Sequence, residues 1–519
     1  MIASLLLVAL AGSGTSDPKA EFERAQSALE RWNVSAARKL AEELIAGFGK
    51  NEATDELLGR VRFYEGDYAG AVALLDERSQ FGKLARATLE EVGSYDERQS
   101  AHFVLRFPKG KDEILAGYAL DTLELAYERI GQDIGFFPKE KVRVEILRDP
   151  AALSRLSPLT EKEIEASGTI ALCKFDKLMV TSPRALVTGY AWQDTLAHEF
   201  THYLVTRRSD DTVPIWLHEG IAKFEESRWR GDAGLALSPA AAALLARRLK
   251  KNDLITFAQM HPSMALLPTQ EDATLAFAEV FTAVEFLYRR HGGRRGLQKL
   301  LDDLRGGESD QAAVADVTSE PFADFQRGWK NYLATLPLPE GVLPLTTEKL
   351  RFRSSADDGA KEKAVRKTGE PDYGEFDELD DPDARRFAHL GELLHARKRT
   401  AAAIVEYGKA EARVGARSPP LSNVYALALV AAGKAADAER ILRQSLVPFP
   451  QIAQTHLHLG EILLAQKRWR EARSELLEAN EVDPFDPTIH AALAAADRGR
   501  GDVAGERAEQ KILAVLEAN

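Results

Sequence analysis

The spacing of apolar residues divides the chain into a mixed middle and two helical ends. Alternation of apolar and polar residues, typical of half-buried strands, marks two segments in the middle: "AHFVLRFP" (101–108) and "KVRVEIL" (141–147). Residues 168–182 predict two further short strands joined by a charged turn, and residues 114–136 have helical spacing. More helical patterns follow. The sequence therefore predicts a mixed α/β domain between helical ends.

The C-terminal helical region repeats with a period near 34 residues. One unit has small, apolar and helix-ending residues at Leu459-Gly460, Trp469, Ala472, Ala479 and Pro484. Earlier units stand at Gly433, Ala438 and Pro450 and at Leu390-Gly391, Ala403, Tyr407 and Ala410, and a degenerate unit follows from Ile489. These residues resemble tetratricopeptide repeats, in which alanines let paired helices approach closely and stacked pairs bury a shared core.

A weaker form of this spacing occupies residues 18 to 92. Leu58-Gly59 and Ala71 occupy repeat positions, and Ala37 lies 34 residues before Ala71. We expect two helical hairpins of the same kind. Because repeat arrays usually need three or more units, these hairpins are expected to pack on the next domain.

Composition and charge narrow the classes of function. Of the 519 residues, 45% are hydrophobic and 29% are charged, as in an ordinary globular protein. The formal net charge of −12 argues against a nucleic-acid partner. The single cysteine, Cys173, excludes an intramolecular disulfide and stands in an apolar strand, where we expect it in the core.

The first residues have features of a secretory signal. The run from Ile2 to Ala11 is apolar, and its length of about ten residues is short of the about 20 that span a bilayer. Ala9 and Ala11 provide a small-residue cleavage site, although no Lys or Arg precedes the run, and a buried first helix is the alternative. A signal peptide over 1–16 would make the protein periplasmic or secreted, and otherwise it would be cytoplasmic. We expect no integral membrane span in the mature chain.

The segment "HEFTH" carries the candidate chemistry. His198 and His202 are four residues apart, so a helix places them on one face, where neutral imidazoles can share a Zn²⁺ ion. Glu199 lies beside the first histidine and can take a proton from a zinc-bound water. An amphipathic helix that carries two histidines by chance is the alternative, but two buried histidines without partners would be unfavourable.

A catalytic zinc site needs a third protein ligand, and Glu219 is the candidate. It lies in "PIWLHEGIAKFEE", where Pro214 suits the first turn of a helix that can face the first one. His218 is a rival ligand, but it points about 100° away around that helix and is otherwise a solvated group or a neighbour of the ligands. Asp194, Glu225 and Glu226 have two interpretations each: a solvated helix face, or a partner that orients a ligand imidazole.

"HEFTH…PIWLHEGIA" resembles the gluzincin zinc metallopeptidases, above all the bacterial peptidase MA-like group, which is often fused to tetratricopeptide repeats. The resemblance covers roughly residues 100 to 335. It implies one Zn²⁺ per chain, with His198, His202 and Glu219 as ligands and Glu199 as general base. It also implies an edge strand, within 168–182, that pairs with an extended substrate. Two departures stand out: the oxyanion-stabilising tyrosine has no clear counterpart, since Phe277 and Tyr288 do not fit, and no G-x-M-E-N exopeptidase motif is present.

The predicted fold class is α+β: a mixed α/β gluzincin-type metallopeptidase domain with a helical C-terminal part, flanked by all-α tetratricopeptide-like repeats. The predicted segments are a signal peptide (1–16), N-terminal hairpins (17–95), the metallopeptidase domain (96–336), a flexible, charged linker (337–383) and C-terminal repeats (384–519).

The predicted activity is zinc-dependent hydrolysis of peptide bonds by an endopeptidase. Its partners would be a peptide or protein substrate and a protein bound by the repeats. The alternative is a non-catalytic repeat scaffold with a structural or degenerate metal domain, which would have no need of Glu199.

Overall fold

A computed structural model describes residues 17–231, 234–261, 264, 267–338, 352–353, 376 and 379–518. The signal peptide predicted for 1–16 and most of the predicted linker lie outside these residues. Among the described helices, none combines the length and apolarity that crossing a membrane requires.

In the described part of the chain, five α-helices precede the first strand. They are α1 (Pro18–Glu30), α2 (Val34–Phe48), α3 (Glu52–Tyr64), α4 (Tyr68–Val72) and α5 (Gln80–Val92). Side chains at the hairpin turns fix where the helices start, because Asn33, Asn51 and Asp67 each accept a hydrogen bond from a first-turn N–H. Buried small residues such as Ala37 and Ala41 let the helices pack closely.

The middle of the chain forms a five-stranded mixed sheet. Its strands are β1 (Asp96–Gln99), β2 (Phe103–Phe107), β3 (Val142–Leu147), β4 (Ala171–Lys174) and β5 (Lys177–Thr181), in the order β1-β2-β3-β5-β4. The inner pairs β2–β3 and β3–β5 are parallel, and the edge strands β1 and β4 are antiparallel to their neighbours. Four of the five strands lie where the sequence predicts them, β2 and β3 by alternation and β4 and β5 within residues 168–182. β1 was not predicted because all four of its residues are exposed and carry no alternation.

Three helices connect these strands. They are α6 (Leu115–Ile134) between β2 and β3, and α7 (Pro150–Leu156) and α8 (Glu161–Ser167) between β3 and β4. The predicted helix at 114–136 is α6, whereas α7 and α8 were not predicted because each has only 7 residues, about two turns.

A buried polar cluster ties the N-terminal helices to the sheet. The Lys177 ammonium on β5 donates to Glu145 Oε2 on β3 at 2.6 Å and to the Tyr68 hydroxyl on α4 at 3.1 Å. Tyr68 also donates to the Glu145 carboxylate. The side chains of Lys177 and Glu145 are 0% and 1% exposed. Because a buried charge needs partners, this cluster requires the N-terminal helices to be present.

The candidate chemistry lies in the helices that follow the sheet. They are α9 (Trp192–Ser209), α10 (Ile215–Glu225), α11 (Pro239–Lys250), α12 (Gln270–Arg290), α13 (Gly293–Arg305), α14 (Asp310–Thr318) and α15 (Phe322–Leu333). α10 packs closely on α12 at Gly220, where an added Cβ would lie 2.9 Å from the Val280 carbonyl oxygen. This glycine is therefore needed for α10 to lie where it does.

Eight helices form the C-terminal repeats. They are α16 (Pro382–Ala396), α17 (Thr400–Val414), α18 (Pro419–Ala431), α19 (Ala435–Leu446), α20 (Ala453–Ala465), α21 (Trp469–Val482), α22 (Pro487–Arg500) and α23 (Val503–Glu517). The Asp381 side chain caps α16, so the repeats begin two residues before the predicted boundary at 384. Gly460 shows why the repeat needs a small residue: a Cβ there would lie 2.7 Å from Leu476 on the paired helix.

Two histidines recur with the repeat period. His456 lies 2.8 Å from Glu475 and 2.9 Å from the Pro450 carbonyl oxygen. His490, 34 residues later, lies 2.7 Å from both Glu509 and the Pro484 carbonyl oxygen. Each ring therefore joins the two helices of its repeat to the preceding turn.

The chain forms two units. One comprises residues up to 182 with 193–235 and 255–336, and it holds the sheet and the N-terminal helices. The other comprises 183–192, 236–254 and the chain from 337, including the repeats and α11. α11 was predicted as part of the metallopeptidase domain, so the sequence-based boundary and this division differ there.

Candidate metal centre

Helix α9 presents His198 and His202 on one face. Leu196, Phe200 and Leu204 are fully buried in the core, while the two histidines lie on a neighbouring stripe of the helix. The Nε2 atoms of the histidines are 3.1 Å apart, and the rings are nearly perpendicular, at 83°. The Nε2 atoms of the two imidazoles thus point toward one place.

Helix α10 brings Glu219 to the same place. Glu219 Oε2 lies 3.7 Å from His198 Nε2 and 3.5 Å from His202 Nε2. Of the described residues, these three form the one group of His, Cys, Asp and Glu side chains with the spacing of a metal site. Burial raises the pKa of Glu219, but both histidines outweigh it and hold this pKa well below its usual range.

The spacing of these three atoms fits a tetrahedral ion. Ligand atoms at about 2.0–2.2 Å from a tetrahedral Zn²⁺ are about 3.3–3.6 Å from one another. The three separations in the structure are 3.1, 3.5 and 3.7 Å, which lie within or just outside this range. Two nitrogens and one carboxylate oxygen are also a donor set that zinc accepts, with a fourth position left for water or substrate.

Glu199 is buried next to the two histidines. Its side chain is 7% exposed and accepts a hydrogen bond from the backbone N–H of Cys173 on the edge strand β4. Burial raises the pKa of Glu199 above its usual value, and the two histidines oppose this shift only in part. A carboxylate with a raised pKa is better matched to accepting a proton near neutral pH.

Cys173 is half-buried, and burial raises the pKa of its thiol well above the usual value, so the residue lies at the margin of the core where it was expected. Its strand, β4, borders the candidate centre through the Glu199 contact and pairs only with β5 among the described strands.

Glu226 orients His198 from the end of α10. Its Oε2 lies 3.2 Å from His198 Nδ1, and its Oε1 accepts from the Lys223 ammonium at 2.5 Å. Burial lowers the pKa of His198, but hydrogen bonds that its ring donates to the Glu219 and Glu226 carboxylates reverse this and raise the pKa to about 10. Glu226 had two interpretations, a solvated helix face or a partner that orients a ligand imidazole. The structure supports the second, with His198 as the imidazole of a candidate ligand. Lys223 was missed, although its i,i+3 spacing from Glu226 is visible in the sequence.

His218 contacts His202 rather than the shared point. The Nδ1 atoms of the two rings are 2.6 Å apart, and the rings are nearly parallel, at 17°. His218 Nε2 lies 3.2 Å from Thr206 Oγ1. Burial, and then the charge of His202, lower the pKa of His218 to about 3. The structure thus makes His218 a neighbour of a candidate ligand, and Thr206 is a contact that sequence reasoning missed.

The remaining candidates lie away from the three ligand atoms. Asp194 accepts hydrogen bonds from Trp229 Nε1 at 2.7 Å and Arg230 Nε at 3.0 Å. Glu225 is fully buried and lies 3.1 Å from Arg228 Nε. The Tyr288 hydroxyl donates to Asp133 at 3.1 Å, so Tyr288 has a structural contact, and the oxyanion-stabilising role stays unassigned.

Comparison with known proteins supports the resemblance. Residues 123–335 match the Peptidase MA superfamily, and residues 429–496 match a tetratricopeptide repeat. None of the curated proteins matches the chain.

Solved structures share only distant likeness. Native leukotriene A4 hydrolase from Saccharomyces cerevisiae is 11% identical, with 82% of this chain and 67% of that chain covered and a TM-score of 0.31. MamA MSR-1 C2 is 19% identical, with 30% of this chain and 93% of that chain covered and a TM-score of 0.24.

The chain therefore carries a domain of the Peptidase MA superfamily, as its sequence predicted. This metallohydrolase-like domain precedes tetratricopeptide repeats, and the predicted α+β fold class with all-α repeats is confirmed.

Proposed function

We propose that the protein is a zinc-dependent endopeptidase. The observation that supports this most is the convergence of His198 Nε2, His202 Nε2 and Glu219 Oε2 at tetrahedral spacing, with the Glu199 carboxylate buried beside them. The chemistry that a bound zinc ion supplies is Lewis acidity, which lowers the pKa of water and polarises a carbonyl.

In this proposal Glu199 moves the proton. One carboxylate oxygen takes a proton from the attacking water, and the same carboxyl then gives it to the nitrogen of the departing amine. The hydrogen bond from the Cys173 N–H holds the carboxylate in place. A non-catalytic scaffold could hold zinc without Glu199, so the buried carboxylate favours the enzyme.

The substrate and partner follow from the surrounding elements. The edge strand β4 has a free side among the described strands, and it suits an extended peptide that pairs through its backbone. Backbone pairing binds peptides without strong sequence preference, which supports an endopeptidase. The repeats would recruit the protein substrate or a partner protein.

The test is the substitution Glu199→Gln. We expect this variant to fold, to retain about one zinc per chain by elemental analysis, and to lose peptide hydrolysis by at least about 10²-fold, since glutamine cannot accept the proton. The assay uses unfolded casein and a peptide pool, with Glu128→Gln on exposed α6 surface as the matched control.

Three further outcomes are decisive for the proposal. No stoichiometric zinc in the purified protein, or unchanged zinc in Glu219→Ala, would exclude the metal site. Equal hydrolysis by Glu199→Gln and the unmodified protein would exclude the mechanism. Zinc-loaded protein that cleaves nothing in either assay would favour the scaffold.

A further inference from the structure

The two candidate histidine ligands are held by different partners. His198 Nδ1 faces a carboxylate, Glu226, at 3.2 Å. His202 Nδ1 faces another imidazole, His218, at 2.6 Å. From this contact we infer that His218 is a positioning residue, which fixes the ring orientation and tautomer of His202 for metal binding. The inference rests on the proposed zinc site.

The proton positions follow from the chemistry of imidazole. A histidine that binds a metal through Nε2 must carry its hydrogen on Nδ1. His202 Nδ1 therefore donates to His218 Nδ1, which has to be the unprotonated nitrogen of its ring. The hydrogen of His218 then lies on Nε2 and points to Thr206 Oγ1, 3.2 Å away. Each contact in the chain His202–His218–Thr206 thus has one donor and one acceptor.

The arrangement of the helices supports this role. His202 and Thr206 are one turn apart on α9, and His218 reaches both from the first turn of α10. The nearly parallel rings of His202 and His218 have centroids 4.6 Å apart, so His202 cannot rotate without displacing its neighbour. Thr206 is 5% exposed, which keeps the far end of the chain of hydrogen bonds away from solvent.

The two partners also differ in charge. Glu226 is an anion whose charge is balanced by the Lys223 ammonium at 2.5 Å. His218 in the assigned tautomer is neutral, so it orients His202 without adding another negative charge. Among the three candidate ligands only Glu219 is then anionic, and a bound metal ion would keep more of its Lewis acidity.

The experiment measures the zinc dissociation constant by competition with a chromophoric chelator at one pH. We expect His218→Ala to weaken zinc binding about 10- to 100-fold, as is usual when the partner of a ligand imidazole is lost. His218→Asn should restore most of the affinity, because its amide oxygen can accept from His202 Nδ1. His261→Ala, at an exposed position, is the matched control and should not change the affinity.

A double-mutant cycle separates positioning from general damage. Thr206→Val should weaken zinc binding when His218 is present and have no further effect in His218→Ala. Thermal unfolding of the metal-free variants checks that each is folded. If His218→Ala does not fold, His218→Asn and Thr206→Val provide the comparison.

The outcomes distinguish the two proposals. Tight zinc binding by the unmodified protein with equal affinity in His218→Ala, or additive effects in the cycle, would overturn the role of His218 and leave the zinc site standing. Failure of the unmodified protein to bind zinc would overturn both.

Discussion

Two adjacent glutamates, Glu225 and Glu226, have opposite environments. Lys223 and His198 outweigh the effect of burial on Glu226 and lower its pKa. Burial and the nearby Asp133 raise the pKa of Glu225 well above its usual value, although Arg228 pairs with it. Successive residues of a helix point about 100° apart, so one faces the candidate centre and the other faces the core.

This difference predicts a pH-dependent effect of Glu225→Gln. The folded protein keeps the proton of Glu225 at pH values where the unfolded chain, with a pKa near 4.5, has lost it. Stability contributed by the protonated group is therefore present below pH 4.5 and is lost as the pH rises above it. The melting temperature of Glu225→Gln minus that of the unmodified protein is the quantity of interest. We expect this difference to be more positive at about pH 7 than at about pH 4.

Thermal unfolding at both pH values measures this difference, with the exposed Glu128→Gln as control. An equal shift of the melting temperature at the two pH values would contradict the prediction.

The sequence predicted which residues form the candidate site better than it predicted which residues contact them. The i,i+4 spacing of His198 and His202, together with the helix that follows, was sufficient to identify Glu219 as the candidate third ligand. Glu225, Glu226 and His218 were left open because their environments come from other helices, α6 and α9. A single helix pattern gives the direction of a side chain but does not show which element it meets.

Among the elements, the hairpin β4–β5 shows how the edge strand is held. Its turn residues, Phe175 and Asp176, both have positive φ, at 57° and 56°, which is unfavourable for a bulky residue. The Asp176 carboxylate accepts from Arg207 on α9 at 3.0 Å and lies 3.7 Å from Arg143 on β3. The Phe175 ring packs edge-on against Phe63 on α3. Contacts with three elements therefore stabilise a strained turn.

We expect Asp176→Ala to loosen this hairpin. The substitution leaves Arg143 and Arg207 without a carboxylate in a mostly buried place, where loss of one partner costs about 3 kcal/mol. It should also lower peptide hydrolysis, because β4 carries the Cys173 N–H that contacts Glu199. Chemical denaturation and the casein assay measure the two effects.

Asp437→Ala, at an exposed position on α19, is a control for loss of a carboxylate. Unchanged stability of Asp176→Ala would show that the turn is fixed by packing of Phe175 alone.

For the molecule as a whole, the sequence predicted the class of fold and its repeats. Repeat period, alternation and short apolar runs are local signals, and they located four strands and the tetratricopeptide units. The placement of α11 and of 183–192 with the repeats was not predicted, because it depends on contacts between distant segments. α13 and α14 were also missed, although α13 has a strongly amphipathic pattern in "GLQKLLDDLR".

The predicted linker gives a test at this scale. Residues 340–383 are rich in charge and poor in apolar side chains, so they have little to bury. We expect a nonspecific protease to cut there first, and mass spectrometry of the fragments to place the cut between α15 and α16. First cuts within α16–α23 would show that the boundary is wrong.

The buried Lys177 cluster also affects the order in which the protein can fold. Lys177 lies 109 residues after Tyr68, so a growing chain makes the N-terminal helices long before the strand that completes their contacts. The repeats differ, since His456 and His490 each meet a carboxylate only 19 residues away. Local contacts form quickly and distant ones slowly. During synthesis the N-terminal helices must therefore wait for β5, while each C-terminal repeat can close soon after it leaves the ribosome.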